Sequence, residues 1–229
     1  MKYEPKPGDI FACWGTDLVS RGISVETSLT SWLTGPNGLR LSPSHVAIVC
    51  SDSATGQTLH WYESTTMAPR SCLAAGRRVS GVQEHAISSR IGDYLKRGGH
   101  VVVYRLTDFD ALTPGEILQL WRMLCRCVGS SDGSRPATRY DTKGAAFSGT
   151  RVWKWLPFSS CDRDAMFCSE LIAALLQRLC RMTRRNPEVF HPGSLLRTLV
   201  RQGTYYRLCD FRTASEVVDL KLWETSRGT

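Results

Sequence analysis

Phe167-Cys168-Ser169-Glu170-Leu171-Ile172-Ala173-Ala174-Leu175-Leu176 is the stretch on which the reading of this 229-residue chain turns. After Cys168 the apolar residues fall at Leu171, Ile172, Leu175, Leu176 and Leu179, the spacing of a helix with one buried face. The pattern predicts a helix that begins near Cys168, with capping side chains offered upstream by Cys161-Asp162-Arg163-Asp164. A thiol in a first helical turn sits among unpaired N–H groups at the positive end of the macrodipole, which favours thiolate over thiol. Cys168 is therefore a candidate nucleophile. Free cysteine is also among the most buried residue types, and the chain holds nine, so position alone does not separate a catalyst from core filler. A partner has to do that.

Two strands supply candidates. In Ser42-Pro43-Ser44-His45-Val46-Ala47-Ile48-Val49-Cys50 an apolar, β-rich run starts immediately after His45, and polar residues from Ser51 to Gln57 end it. His45 thus stands at the mouth of a core strand. Taken alone, it reads as a histidine bonded to a loop carbonyl. Thr58 to Ser64 predicts a second strand, antiparallel to the first, with His60, Tyr62 and Ser64 on one face and Leu59, Trp61 and Glu63 on the other. Glu63 travels with apolar residues, and a carboxylate that looks inward needs a partner such as the nearby imidazole. The competing reading is a solvent-facing acid at a strand terminus.

The remaining segments set the scaffold. Pro7-Gly8-Asp9 is turn chemistry ahead of a buried strand, Ile10 to Trp14. Asp17 to Leu33 suggests a short helix, closed by Gly35-Pro36-Asn37-Gly38. Gly76 to His85 reads as a strand and turn, Ser89 to Lys96 as a short helix, and Val101 to Leu106 as a strand. Thr113-Pro114-Gly115-Glu116 opens a helix with a capping box and runs to about Val128. Tyr140-Asp141 and the aromatic segment Trp153 to Phe158 follow, the latter either lining a groove or packed beneath a loop. After the Cys168 helix, Asn186-Pro187 breaks the pattern, Phe190-His191-Pro192 starts a short final helix, and Tyr205 to Phe211 reads as a last strand.

Composition narrows the class. Hydrophobic residues at 42% and charged residues at 22% are those of an ordinary globular domain. The charged, proline-broken start does not resemble a signal peptide, and the apolar run Leu171 to Leu176 is too short to cross a bilayer. The expectation is a cytoplasmic protein with reduced thiols. Cys125 and Cys127 form a lone C-x-C within a helical pattern, which places the thiols on different faces and favours structural cysteine over zinc ligation. The net charge of +8 owes much to arginine. In the dense group Arg178, Arg181, Arg184 and Arg185, helical spacing puts Arg178, Arg181 and Arg185 on one face, expected to serve as a phosphate-binding stripe for nucleic acid or an anionic membrane; the alternative is a solvated face.

The ordered set of motifs resembles the circularly permuted NlpC/P60-like cysteine hydrolases, in their YiiX/YebB-like branch. The residues that carry it are Pro7-Gly8-Asp9-Ile10, Ser44 to Val49, Tyr62-Glu63-Ser64, Tyr140-Asp141, Phe167 to Ile172 and His191-Pro192. Unpermuted relatives present the cysteine first, whereas here His45 and Glu63 precede Cys168. The resemblance implies an α+β, permuted papain-like fold, with an antiparallel sheet or small barrel packed against the cysteine-bearing helix. It implies one domain over residues 1–229, with insertions around 65–135 and a frayed tail after about 224. Carried over residue by residue, Cys168 would be the nucleophile, His45 the general base and Glu63 the residue that orients His45, with no cofactor. The implied activity is hydrolysis or acyl transfer at an amide or ester through a thioacyl-enzyme, on a peptide, amide or lipid-ester substrate. Lipid acyltransferases, thioesterases and viral members belong to the same wider group, so a host cell or virion is a further expected location.

Overall fold

The computed structural model describes residues 3–15, 42–51, 58–66, 69–134, 136–139 and 167–220. Six strands form one antiparallel sheet: β1 (Ile10–Trp14), β2 (His45–Ser51), β3 (Leu59–Thr65), β4 (Gly81–Ala86), β5 (His100–Leu106) and β6 (Tyr205–Phe211). Their order across the sheet is β4-β3-β2-β1-β5-β6. The α-helices of eight residues or more among the described residues are α1 (Ile87–Lys96), α2 (Pro114–Cys127), α3 (Cys168–Arg178) and α4 (Pro192–Arg201). Residues 215–220 are also helical. The Phe190-His191-Pro192 helix is therefore not the final one.

Strand alternation divides the core into two layers. Ile10, Ala12, Val46, Ile48, Cys50, Tyr62, Val82 and Val102 pack with residues of α2, α3 and α4. Phe11, Cys13, Ala47, Val49, Leu59, Trp61, Val101 and Val103 pack with Ile87 and Ile91 of α1 and with Val217 and Leu220. The sheet is thus sandwiched, with both faces dry, which is why β1 and β2 read as unbroken apolar runs rather than alternating ones. Burying the larger side chains stabilises each by about 1.5–3 kcal/mol.

Local chemistry fixes the ends of these elements. Gly8, at φ +89°, turns the chain into β1 and donates its N–H to Val49 O. Asp9 then accepts hydrogen bonds from Tyr3 Oη at 2.8 Å, Lys6 N at 2.9 Å and Arg105 Nε at 2.8 Å, tying the turn to β5. Gly81, at φ +126°, lies where Thr138 crosses β4; a Cβ there would stand 1.9 Å from Thr138 O. Helix α2 carries the expected capping box, Thr113 with Glu116.

Helix α3 begins at Cys168 as the periodicity predicts, and Leu171, Ile172, Leu175, Leu176 and Leu179 are all buried. It stops at Arg178, with Cys180 at φ +56°. Arg178, Arg181 and Arg185 therefore do not share a helical face. Arg181 instead folds back, donating to Asp110 O at 2.8 Å and pairing with Glu116 at 2.9 Å. The expected helix over 17–33, the proposed cap at 161–164, Tyr140-Asp141, the aromatic segment 153–158 and the tail after 224 lie outside the described residues.

Candidate active site

His45 is the first residue of β2 and Cys168 the first of α3. The start of β2 is clamped by Ser44, whose N–H donates to Cys13 O at 3.0 Å and whose Oγ donates to the same carbonyl at 3.2 Å. The start of α3 is held by Ser169 Oγ, which donates to Phe190 O at 2.6 Å. Helix α3 packs on β2 and β3. These restraints bring the Cys168 side chain within hydrogen-bonding reach of the His45 ring. Only 3% of Cys168 and 9% of His45 is exposed.

On its other side the ring meets Glu63. His45 Nε2 lies 2.7 Å from Glu63 Oε2, so Nδ1 is the ring nitrogen left for the sulfur. Glu63 is fully buried on the α1 side of the sheet, as its place beside Leu59 and Trp61 predicts. His45, at the strand's end, thus joins a cysteine on the helix of one layer to a carboxylate under the other.

A residue outside the expected trio of Cys168, His45 and Glu63 completes the charge balance. Arg90 of α1 donates from Nε to Glu63 Oε1 at 2.5 Å. Its Nη1 is 3.7 Å from Asp93 Oδ2, and Arg70 grips that carboxylate through Nε at 2.8 Å and Nη2 at 2.9 Å. The signal for Arg90 was in the sequence: Ile87, Arg90, Ile91 and Tyr94 follow helical spacing, which sets an arginine in the apolar stripe. His85 Nε2, 3.8 Å from Glu63 Oε1, donates to Gln83 Oε1 at 3.1 Å.

Electrostatics follow from this geometry. Burial alone would raise the Glu63 pKa, but Arg90 and the His45 hydrogen bond hold the carboxyl well below the usual range. Burial opposes charge on His45, yet the Cys168 sulfur and the Glu63 carboxylate push it up to about 10. Burial lowers His85, leaving it neutral. Cys13 stands opposite His45 in the β1–β2 ladder, and burial with the Glu63 charge pushes its thiol well up. Of the two described cysteines next to this cluster, Cys13 is thus the inert one.

The arrangement can hold a charged imidazole between a sulfur and a carboxylate, and can move a proton at Nδ1. Among the described residues no group of three His, Cys, Asp or Glu side chains forms a metal-binding set, and no helix is long and apolar enough to cross a membrane.

No protein-family model matches the chain, and no curated protein matches it. Among solved structures the fold is similar to that of the metalloprotein yiiX from Escherichia coli O157:H7, a DUF1105 protein. The two share 16% identity and a TM-score of 0.54 over 92% of this chain and 100% of that one. At that identity the likeness is one of fold alone.

Proposed function

We propose that this chain is a cysteine-dependent hydrolase or acyltransferase that acts on an amide or ester bond, with a permuted papain-like arrangement of its site. One observation carries the reading: a single buried imidazole, His45, lies between the Cys168 sulfur and the Glu63 carboxylate. The yiiX-like fold supports the arrangement but not the chemistry. That neighbour is named a metalloprotein; among the described residues here no group of three His, Cys, Asp or Glu side chains could hold a metal ion.

Cys168, as the thiolate paired with protonated His45, would attack the substrate carbonyl carbon, and the carbonyl electron pair would move onto oxygen, to which the Cys168 N–H at the helix start would donate. His45 would give its proton to the departing nitrogen or oxygen as the tetrahedral intermediate collapses to a thioester. Water or another acceptor, deprotonated by His45, would then attack the thioester and release the sulfur. Glu63 would hold Nε2 throughout, keeping the ring turned toward the sulfur. Amide and peptide bonds head the list of substrates, with lipid esters and thioesters as the alternative.

An electrophilic thiol probe on the full chain tests this. Cys168 is expected to react ahead of the other eight cysteines, and His45→Ala to slow that reaction by about a hundredfold or more. Uniform labelling unaffected by His45→Ala overturns the reading. Salt-sensitive polyanion binding that survives Cys168→Ser, together with uniform labelling, would identify a non-catalytic basic module instead.

A further inference from the structure

The Glu63 carboxylate is divided between two cations: Oε2 faces His45 Nε2 at 2.7 Å and Oε1 faces Arg90 Nε at 2.5 Å. We propose that Arg90 is a positioning residue that acts on His45 through Glu63, steadied from its far side by the Arg70–Asp93 clamp.

The geometry forms a chain of alternating charge, His45, Glu63, Arg90, Asp93 and Arg70. Its inner members are buried and its last, the Arg70 side chain, is 43% exposed. A carboxylate with one oxygen engaged by a guanidinium cannot rotate without breaking that bond, so Oε2 stays fixed for the imidazole. The Arg90 guanidinium also lies over the Tyr94 ring, 5.0 Å from its centroid, which restricts its swing.

The groups around Glu63 make Arg90 the permanent charge among them. From β2 comes His45, from β4 His85, from β1 Cys13, and from α1 Arg90 and Tyr94. Cys168 of α3 lies beyond His45, and Asp93 and Arg70 lie beyond Arg90. Burial holds Cys13 and Tyr94 protonated and neutral, and His85 deprotonated and neutral. The charge on Glu63 is thus balanced by His45 and Arg90. Without Arg90, protonating the Glu63–His45 pair becomes easier and deprotonating His45 would strand a lone buried carboxylate, so both steps of the pair move upward in pH.

The catalytic weight of this proposal rests on the reading of His45 as the base for Cys168, but its test does not need turnover. In the full chain, the five histidines would be followed by NMR titration of their ring resonances, with His45→Ala giving the assignment. Arg90→Met is expected to move the His45 titration upward by about one to three pH units. Arg90→Lys, which keeps the charge but not the planar fork, is expected to restore its position while Cys168 alkylation stays slowed about tenfold. An unshifted His45 in a folded Arg90→Met overturns the proposal. If Arg90→Met does not fold, Arg90→Lys decides it: native alkylation with a native titration overturns it. A shifted His45 in Arg90→Met, with no preferential labelling of Cys168 in the unaltered chain, overturns the hydrolase reading and leaves the positioning role standing.

Discussion

Cys13 and His45 are cross-strand partners on β1 and β2, so among the described residues one imidazole has two thiols for neighbours, Cys13 across the ladder and Cys168 at the foot of α3. Only Cys168 is expected to act as a nucleophile. Each unit of upward pKa shift cuts the reactive thiolate about tenfold at neutral pH, and Cys13 is pushed well up by burial. Mass mapping after brief alkylation checks this: Cys13→Ala keeps the fast-reacting site, and Cys168→Ala removes it without exposing a new one at Cys13.

The ion pair beneath His45 carries a large penalty when only one side is removed. Glu63→Gln leaves the Arg90 guanidinium buried without its closest counter-ion and is expected to destabilise by about 3–5 kcal/mol. Joining it with Arg90→Met removes the stranded charge and is expected to recover much of that loss. Urea midpoints of the two single variants and the double variant give the comparison.

Stability should depend on pH at both ends, with opposite signs. The folded Glu63 pKa lies below its ordinary 4.5, so its contribution is present above that value and is lost as pH falls further. The folded His45 pKa is raised from 6.5 to about 10, so its contribution is complete below 6.5 and is lost as pH rises toward about 10. Denaturation midpoints measured across pH are expected to peak between these limits. His45→Ala is expected to flatten the alkaline decline.

Helix α4 approaches the segment leading into β2 at a glycine. A Cβ on Gly193 would stand 2.6 Å from Ser42 Oγ and 2.9 Å from Ser42 Cβ. Gly193→Ala is expected to push that segment and slow His45-dependent alkylation of Cys168 about tenfold or more, since small misplacements cost rate steeply. Adding Ser42→Gly removes both clashing atoms and should restore the rate.

Arg181 is expected to behave as a structural residue. Arg181→Ala would remove its bonds to Asp110 O and Glu116, costing roughly 1–2 kcal/mol. Titration with a polyanion should show unchanged affinity, whereas exposed Arg184 and Arg185 are the positions where charge removal would weaken any such binding.

Much of this was legible along the chain because it is local. The start of α3 at Cys168, the strand beginning at His45 and the apolar company of Glu63 each follow from spacing over a few residues. What spacing could not supply is register between distant segments. The pairing of Cys13 with His45 depends on how β1 and β2 align across the residues between them, and the Arg90 contact depends on which face of the sheet α1 covers. The arginine face failed for a different reason. No glycine or proline marks the end of α3; its stop is made by Cys180 in the left-handed region, a conformation that composition does not announce.

The strand order also fixes a sequence of events during synthesis. The ladder β4-β3-β2-β1 is drawn wholly from residues 10–86, and α1 with Arg90 follows directly. A ribosome therefore releases every member of the imidazole's charged support long before it reaches Cys168, so the acid–base half of the pocket is available to assemble while the sulfur is still untranslated.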